Sequence, residues 1–371
     1  MKVLHVVNSL NVGGLEQMVI SLAKVQKQLG YEVAIASLQE KGYLATSVER
    51  MGISVLCAEK GNNTNSLRSV FLLRKAIRTF APRIIHTHNA VPHYYTVLAS
   101  RGLLNDARFI NTRHDMGQHA YTIKAESLYK LAMHWTKFGV SVCNAAQREF
   151  LAFRSFPLRK ARVVINGISL NQFDVKSPSG KPSLCESLNI PKSTWIIGTI
   201  GRLAPIKDQG LLIDAMSDLC KHISNACLVI VGDGPSREAL EKKTAELNLT
   251  EKVFFLGRRN DVASLLSGMD IFVQSSITEG YSMALVEAAA AGLPVIATDV
   301  GGNGEIVQQG ITGILIQAAT GEKFSKAISF LIASEKLRQE MSQNAIAWAQ
   351  ANGSIEQMAA AYSELYRESI A

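Results

Sequence analysis

Glu279-Gly-Tyr-Ser-Met-Ala-Leu-Val-Glu287 follows a strand-like run, Ile271-Phe-Val-Gln274, and enters a helix-like segment at 282–291. This strand, loop, helix unit sets the rhythm of the chain. Its glutamates are eight positions apart. That is about 2.2 helical turns, so inside one helix they would lie about 80° apart. With Glu279 in the loop before the helix, both carboxylates can face one cleft beside exposed backbone N–H groups. A helix N-terminus is a natural site for an anion. Such a place suits a ligand that carries both hydroxyls and phosphate. The plain alternative is one solvated glutamate and one charge near a helix start, and the rest of the sequence decides between them.

The same unit recurs outward in both directions. In the first half, strands are expected at 3–7, 32–37, 53–57, 83–87, 108–112, 140–144 and 162–165. Helices are expected at 15–29, 66–80, 92–101, 121–137 and 145–153. Residues 171–191, with Pro178, Ser179, Gly180 and Pro182, break the rhythm and read as a domain junction. Strands then return at 195–200, 227–231, 253–256, 271–274, 295–298 and 313–316, with helices at 209–220, 235–247, 262–267 and 282–291. From Gly321 the tail is helical, with breaks near Ser334 and Gly353. Strand and helix in alternation imply parallel sheets covered on both faces. The expected fold class is α/β: two doubly wound, Rossmann-like domains, 1–175 and 176–350, facing across a cleft. Residues 351–371 are expected to form a helix that returns to the first domain. Ligands collect at the carboxyl ends of strands in such sheets.

Composition narrows the function. Apolar residues make up 47% of the 371-residue chain, enough for two cores. Five scattered cysteines with no Cys-x-x-Cys pair argue for a reducing compartment and against structural zinc. No apolar run reaches 18 residues without a charge or breaker, so neither a signal peptide nor a transmembrane helix is expected. A cytoplasmic location follows, with a peripheral place on the inner face of a membrane as its variant. Residues 1–175 carry 22 Lys and Arg against 10 Asp and Glu, a balance of +12; residues 176–371 carry 17 against 21, a balance of −4. The basic half is expected to meet something anionic: a phosphorylated acceptor or an anionic membrane surface. Helix 66–80, with Arg68, Arg74, Lys75 and Arg78, suits that surface or simply packs on its own sheet. Few aromatics (7%) and no nucleic-acid motif set nucleic acid aside.

Polar clusters fall at the strand ends. Asn11-Val-Gly-Gly-Leu-Glu16 follows the first strand, and Gly13 and Gly14 allow a phosphate close to the backbone. The G-x-G-x-x-G dinucleotide pattern is absent, which weakens a nicotinamide reading. Gly201-Arg202-Leu-Ala-Pro-Ile-Lys207 offers a guanidinium fork and an ammonium to a diphosphate. Val231-Gly-Asp-Gly-Pro235 reads as a structural turn, and Asn166-Gly167 as a turn near the junction. Asn111-Thr-Arg-His114-Asp115 and Ile85-His-Thr-His88 place histidines at strand ends, where a structural hydrogen bond is as natural as a ligand contact. Thr298-Asp-Val-Gly-Gly302 either lines a cleft or bends the chain. No Asp-x-Asp, His-Glu-x-x-His or P-loop is present, so no metal site is expected and a basic pair would neutralise a leaving group.

Taken in order, these pieces resemble the GT4 family of retaining glycosyltransferases, with the GT-B architecture. The resemblance spans nearly the whole chain: Gly13-Gly14, His114-Asp115, Asn166-Gly167 with Phe173, Gly201-Arg202 to Lys207, Val231 to Pro235, and Glu279 to Glu287. It implies roles by position. Arg202 and Lys207 would grip the donor diphosphate, and Glu287 would accept hydrogen bonds from the ribose. Glu279 would hold hydroxyls of the transferred sugar, and His114 would lie against that sugar. Backbone N–H groups of Gly280, Tyr281, Ser282, Met283, Ala284 and Leu285 would touch sugar and phosphate. Gly14 would let its loop close over the diphosphate, and Arg258 lies near where such enzymes hold the base. The implied activity is metal-independent, cofactor-free transfer of a sugar from a nucleotide sugar, UDP-linked for preference, to a glycan or lipid-linked acceptor in polysaccharide or glycoconjugate assembly. The competing readings are an NAD-dependent oxidoreductase or epimerase, and a non-catalytic nucleotide-sugar-binding module.

Overall fold

Strand after strand, the chain runs in one direction. In the first half these are β1 (Lys2–Val7), β2 (Glu32–Ser37), β3 (Ser54–Cys57), β4 (Ile84–His88), β5 (Arg108–Arg113), β6 (Thr136–Ser141) and β7 (Ala161–Val163). In the second they are β8 (Trp195–Ile200), β9 (Ala226–Val231), β10 (Val253–Gly257), β11 (Ile271–Gln274), β12 (Val295–Thr298) and β13 (Gly313–Ile316). The structure, a computed structural model, describes residues 1–11, 13–59, 66–103, 106–114, 123–173 and 180–371. Asp115, Pro178 and Ser179, named above, lie outside them, as do the first two positions of the helix expected over 121–137.

The chain forms two units, Met1–Gly167 with Ile355–Ala371, and Ile168–Ser354. The first holds a seven-stranded sheet in the order β3-β2-β1-β4-β5-β6-β7, the second a six-stranded sheet in the order β10-β9-β8-β11-β12-β13. All pairings are parallel. Helices cover both faces, so the strands are apolar on both sides; Val3, Leu4, Val6 and Val7 of β1 are all buried. Strand order reverses between β1 and β4, and between β8 and β11. A doubly wound sheet opens its ligand crevice at such a reversal, beyond the carboxyl ends of the strands.

The domain limits differ from those expected at 175 and 350. Ile168 N–H donates to Gly353 O at 2.7 Å, and Ile168 bridges to Ser354. These bonds tie both ends of 168–354 together, so the second unit starts before the proline-bearing stretch. Inside that stretch lies an unforeseen helix, Gly180–Ser187, anchored by Lys181 Nζ on Asp270 at 2.7 and 2.8 Å. The last helix, Ile355–Ile370, belongs to the first unit and buries Met358, Tyr362 and Tyr366 there.

One strand is shifted from its expected place. The helix expected over 121–137 ends at Ala132, a 3₁₀ turn covers Met133–Trp135, and β6 begins at Thr136 rather than 140. The cause is local: Cys143 Sγ accepts from Ala146 N–H at 3.3 Å and caps helix Asn144–Ala152, so the strand must finish earlier. Helix Ser66–Phe80 buries Leu73 and Ile77 against its sheet while Leu67, Phe71, Arg68, Lys75 and Arg78 are exposed. Among the described residues no helix is long and apolar enough to cross a membrane.

Candidate active site

The reversal between β8 and β11 gathers the polar residues of the second unit. β8 ends at Ile200, and Gly201 and exposed Arg202 follow it. A 3₁₀ turn, Pro205–Lys207, then delivers Lys207 before helix Gln209–Leu219. The turn is held from below. Gln209 Nε2 donates to Arg202 O at 3.1 Å, and Ser275 Oγ bonds the carbonyls of Lys207 and Asp208 at 3.0 and 2.8 Å. Ile277 N–H donates to Ile206 O at 2.9 Å, so the loops after β8 and β11 are stitched along their backbones.

Glu279 sits in the loop, not in the helix, which runs Met283–Ala290. Its carboxylate is mostly buried and its Oε1 receives three donors: Lys207 Nζ, Gln274 Nε2 at 3.1 Å and Ser276 Oγ at 2.7 Å. Among the described residues Oε2 takes no hydrogen bond, so one oxygen is anchored and the other is available to a ligand. Gln274 turns its own oxygen to Ser282 Oγ at 2.7 Å, and Ser282 caps the helix at Leu285 N–H, 3.4 Å away. The carboxylate, the ammonium and the helix N-terminus are thus one hydrogen-bonded assembly. The backbone of Glu279 is also fixed, since Gly302 N–H is shared between Glu279 O at 3.4 Å and Gly280 O at 3.1 Å. Gly301, at φ 52°, lies so close that any side chain there would collide with the Glu279 carbonyl. Gly301 therefore serves close approach to this loop.

Glu287 lies on the second turn of the same helix, and burial pushes its carboxyl up to about 7. Tyr281, Ser282 and Leu285 are buried, while Gly280, Met283 and Ala284 keep part of their surface. The Leu285 N–H is already engaged by Ser282 Oγ. Arg258 is exposed just after β10, the outer strand, with β9 between it and β8. It does not join the assembly. Gly201 is different: a Cβ there would meet nothing within 4 Å. The turn after β9 is structural, since a side chain at Gly232 would strike Gly201 O. Pro235 precedes its helix, Arg237–Glu246, rather than opening it.

The first unit gathers its own strand ends at the β1/β4 reversal. Gly14 opens helix Gly14–Gln28, and a Cβ there would also meet nothing within 4 Å. His114 follows β5, half-buried, with its N–H on Asn89 Oδ1 at 2.9 Å and its ring Nε2 3.1 Å from His88 Nδ1. Asn89 stands at φ 67°, a strained geometry for a side-chain-bearing residue, held by Asn111 Nδ2 on its carbonyl at 3.0 Å. Asn166 is buried at the end of the first unit, its Oδ1 without a partner among the described residues.

Sequence reasoning missed Gln274, Ser276, Asn89 and His5. Gln274 and His5 had a visible signal, a polar residue closing or interrupting an apolar strand, as in Ile271-Phe-Val-Gln274 and Val3-Leu-His5-Val-Val7; Ser276 and Asn89, in loops, had none.

Comparison with known proteins bears on this arrangement. The family described as Glycosyl transferases group 1 matches residues 181–348, and that described as Glycosyltransferase Family 4 matches residues 12–172. The chain is 26% identical over 316 residues to the UDP-Gal:alpha-D-GlcNAc-diphosphoundecaprenol alpha-1,3-galactosyltransferase of Escherichia coli, covering 81% of this chain and 79% of that one. It is 24% identical over 265 residues to N-acetyl-alpha-D-glucosaminyl L-malate synthase of Bacillus anthracis, covering 71% and 68%. Among solved structures, Anabaena HepE in complex with UDP and glucose matches with a TM-score of 0.87 at 22% identity, over 98% of this chain and 99% of that one.

Proposed function

Because the chain belongs to the family 4, group 1 glycosyltransferases, with their two-domain GT-B fold, we propose that it transfers a sugar from a UDP-linked donor to a glycan or lipid-linked acceptor, with retention of configuration and without a metal ion. The observation that carries this reading is the Lys207–Glu279–Gln274–Ser282 assembly at the β8/β11 reversal, where a cation, a half-satisfied carboxylate and a helix N-terminus meet. Galactosyl transfer from UDP-Gal to a diphosphoundecaprenol-linked sugar by the Escherichia coli relative supports the donor and acceptor classes. The UDP complex of HepE supports the nucleotide.

The chemistry follows from charge. As the bond from the anomeric carbon to the diphosphate breaks, positive charge grows on the sugar and negative charge on the leaving group. Arg202, Lys207 and the start of helix Met283–Ala290 stabilise the developing diphosphate charge. Glu279 keeps Oε1 on Lys207 and offers Oε2 to sugar hydroxyls. Glu287, ionised, accepts from the ribose diol. The open space at Gly201 leaves room for phosphate against the backbone; for Gly14, in the first unit, a phosphate role rests on family membership. Interactions that strengthen as charge separates raise the rate, not only the affinity. Retention rests on family membership. The absence of metal-binding motifs in the sequence supports a metal-independent reaction. In the basic first unit, exposed Leu67 and Phe71 among Arg68, Lys75 and Arg78 support an anionic membrane surface beside the acceptor.

A thermal-shift series over UDP-, GDP-, ADP- and TDP-sugars tests the donor, followed by UDP release with polyprenyl-diphosphate-linked saccharides. Stabilisation by UDP-sugars with acceptor-dependent UDP release is expected. Stabilisation by NAD and by none of the nucleotide sugars would overturn the reading.

A further inference from the structure

The second unit holds a cavity at the end of its sheet away from the Lys207–Glu279 pair. Its volume is about 510 Å³, within the range of small-molecule sites. Asp270, just before β11, and Leu293 and Pro294, just before β12, lie in its wall. The strands are parallel, so this is the amino end of the sheet, while Lys207 and Glu279 stand beyond the carboxyl ends of β8 and β11.

Helix Glu335–Asn352 supplies the facing wall. Glu335, Arg338, Gln339, Ser342, Gln343 and Ile346 line the cavity, at intervals of three and four that put them on one helix face. Gly292, at φ 70°, lets this face come close: a Cβ there would lie 2.9 Å from Ile346 Cδ1 and 3.0 Å from Ser342 Oγ. Met269, Leu293, Pro294 and Ile346 make the apolar part of the wall.

Among the described residues Arg338 is the only cation lining the cavity, and its guanidinium is already fixed. Nη1 donates to the carbonyls of Leu331 and Ile332, the latter at 2.7 Å, and the group lies 4.6 Å from the centre of the Trp195 ring. Nε and Nη2 have no partner among the described residues. Asp270 is not a counter-ion for them. Lys181 Nζ holds both of its oxygens, at 2.7 and 2.8 Å, and Oδ2 also accepts from Ile196 N–H at 2.8 Å. Glu335 is exposed at the rim, where water screens it, and its Oε1 accepts from Gln339 Nε2 at 3.1 Å. The open Nε–Nη2 edge is the one that takes a carboxylate or phosphate through two parallel bonds. Beside it the Ser342 hydroxyl and the Gln343 amide have no partner among the described residues, and the Gln339 carbonyl oxygen is likewise open. These groups offer donors and acceptors to hydroxyls. The apolar wall suits the C–H face of a sugar ring.

We propose that this cavity is a second ligand site, separate from the donor site, for a small polyhydroxylated anion: a sugar phosphate or a sugar acid. The anionic group meets the Nε–Nη2 edge of Arg338, and the hydroxyls meet Gln339, Ser342 and Gln343. Phosphate and carboxylate present the same pair of oxygens to a guanidinium, and separate probes tell them apart. The site lies within the second unit alone and does not rest on the transferase reading.

Titration calorimetry on the full chain with glucose 6-phosphate, glucuronate, glucose and inorganic phosphate tests the site, with the indole N–H signals followed by NMR. Trp195→Phe assigns the signal beneath Arg338. Glucose 6-phosphate or glucuronate is expected to bind with a Kd below about 1 mM, and glucose and inorganic phosphate at least about tenfold more weakly. The Trp195 signal should shift, and that of Trp135, in the first unit, should stay. Arg338→Gln should weaken binding about ten- to hundredfold, the scale of hydrogen bonds to a charged group. Gln343→Ala, at an exposed position, should weaken it about three- to tenfold and keeps the test open should Arg338→Gln fail to fold. Lys207→Ala should leave this binding unchanged, whereas a sugar phosphate held in the donor site would be lost with it. Binding of neither anion, equal binding of glucose, equal binding of inorganic phosphate (an adventitious ion only), or binding lost in Lys207→Ala and kept in Arg338→Gln would each overturn the site. Binding that passes these checks in a protein indifferent to UDP-sugars would overturn the transferase reading alone.

Discussion

Lys207 and Glu279, 72 residues apart in sequence, form an ion pair that joins the loop after β8 to the loop after β11. Their side chains are 27% and 10% exposed, so the pair is largely sheltered but keeps a face for a ligand. In the free protein each charge is neutralised by the other. A diphosphate bearing a sugar matches both: the ammonium can turn to phosphate while the carboxylate, still held by Gln274 and Ser276, accepts hydroxyls.

Gln274 holds that carboxylate and the helix cap together. Replacing it with leucine leaves Glu279 and Ser282 each short of a partner. A loss of about 1–3 kcal/mol is expected for such buried groups. Thermal denaturation should show a lower Tm, and initial rates a raised KM for the donor. An unchanged KM would show that Glu279 does not depend on this support.

Gly14 is expected to separate stability from activity. Its backbone is not left-handed and its surroundings are open, so Gly14→Ala should stabilise the helix start by up to about 1 kcal/mol. Turnover should nonetheless fall, because the new methyl occupies space assigned to phosphate. Thermal melts alongside UDP-release rates check both signs. A variant as active as the wild type would leave this glycine with no ligand role.

Glu287 should make donor binding pH-dependent. Burial raises its carboxyl to about 7, and only the ionised form can accept from both ribose hydroxyls. The KM for the donor should therefore fall between pH 6 and pH 8, by up to about tenfold per unit below the pKa. In the free protein the sign is opposite. A carboxyl whose folded pKa is raised adds stability that is full below about 4.5 and lost as pH rises through about 7. Glu287→Gln should flatten both profiles, and a wild type with a pH-independent KM would contradict the assignment.

The first unit should weaken in acid. His5 is held down to about 4, His93 to about 3, and His86 and His88 well below 6.5, each chiefly by burial. The unfolded chain binds more protons than the folded one below about pH 6.5. The stability contributed by these neutral rings is full above that pH and lost as pH falls toward the folded values. Hydrogen exchange in β1 and β4, corrected for its intrinsic pH dependence, should show protection decreasing between pH 7 and pH 5. Constant protection would mean that the rings charge without penalty.

The alternation that decides the architecture was readable because parallel strands buried on both faces are continuous apolar runs; β2, β8, β11, β12 and β13 have the bounds expected from sequence. β6 was misplaced because the stop signal is a cysteine cap, which composition does not mark. Lys207 and Glu279 were each legible as site candidates. Their direct pairing was not, because it depends on which strands become neighbours. His86 and His88 were expected on one side of a strand, but the part of His5 needs the β1/β4 register. Gly301 read either as lining a cleft or as a bend; its close approach to Glu279 is a contact between loops that local sequence does not encode.

Transfer by a Lys207→Ala variant tests the central claim most directly. With saturating UDP-sugar and acceptor, the account predicts that UDP release drops by about 10²- to 10³-fold, the usual loss on removing one charge-stabilising donor. Far-UV circular dichroism should remain that of the folded protein. A folded variant that turns over at the wild-type rate would contradict the assignment of the leaving diphosphate to this pair.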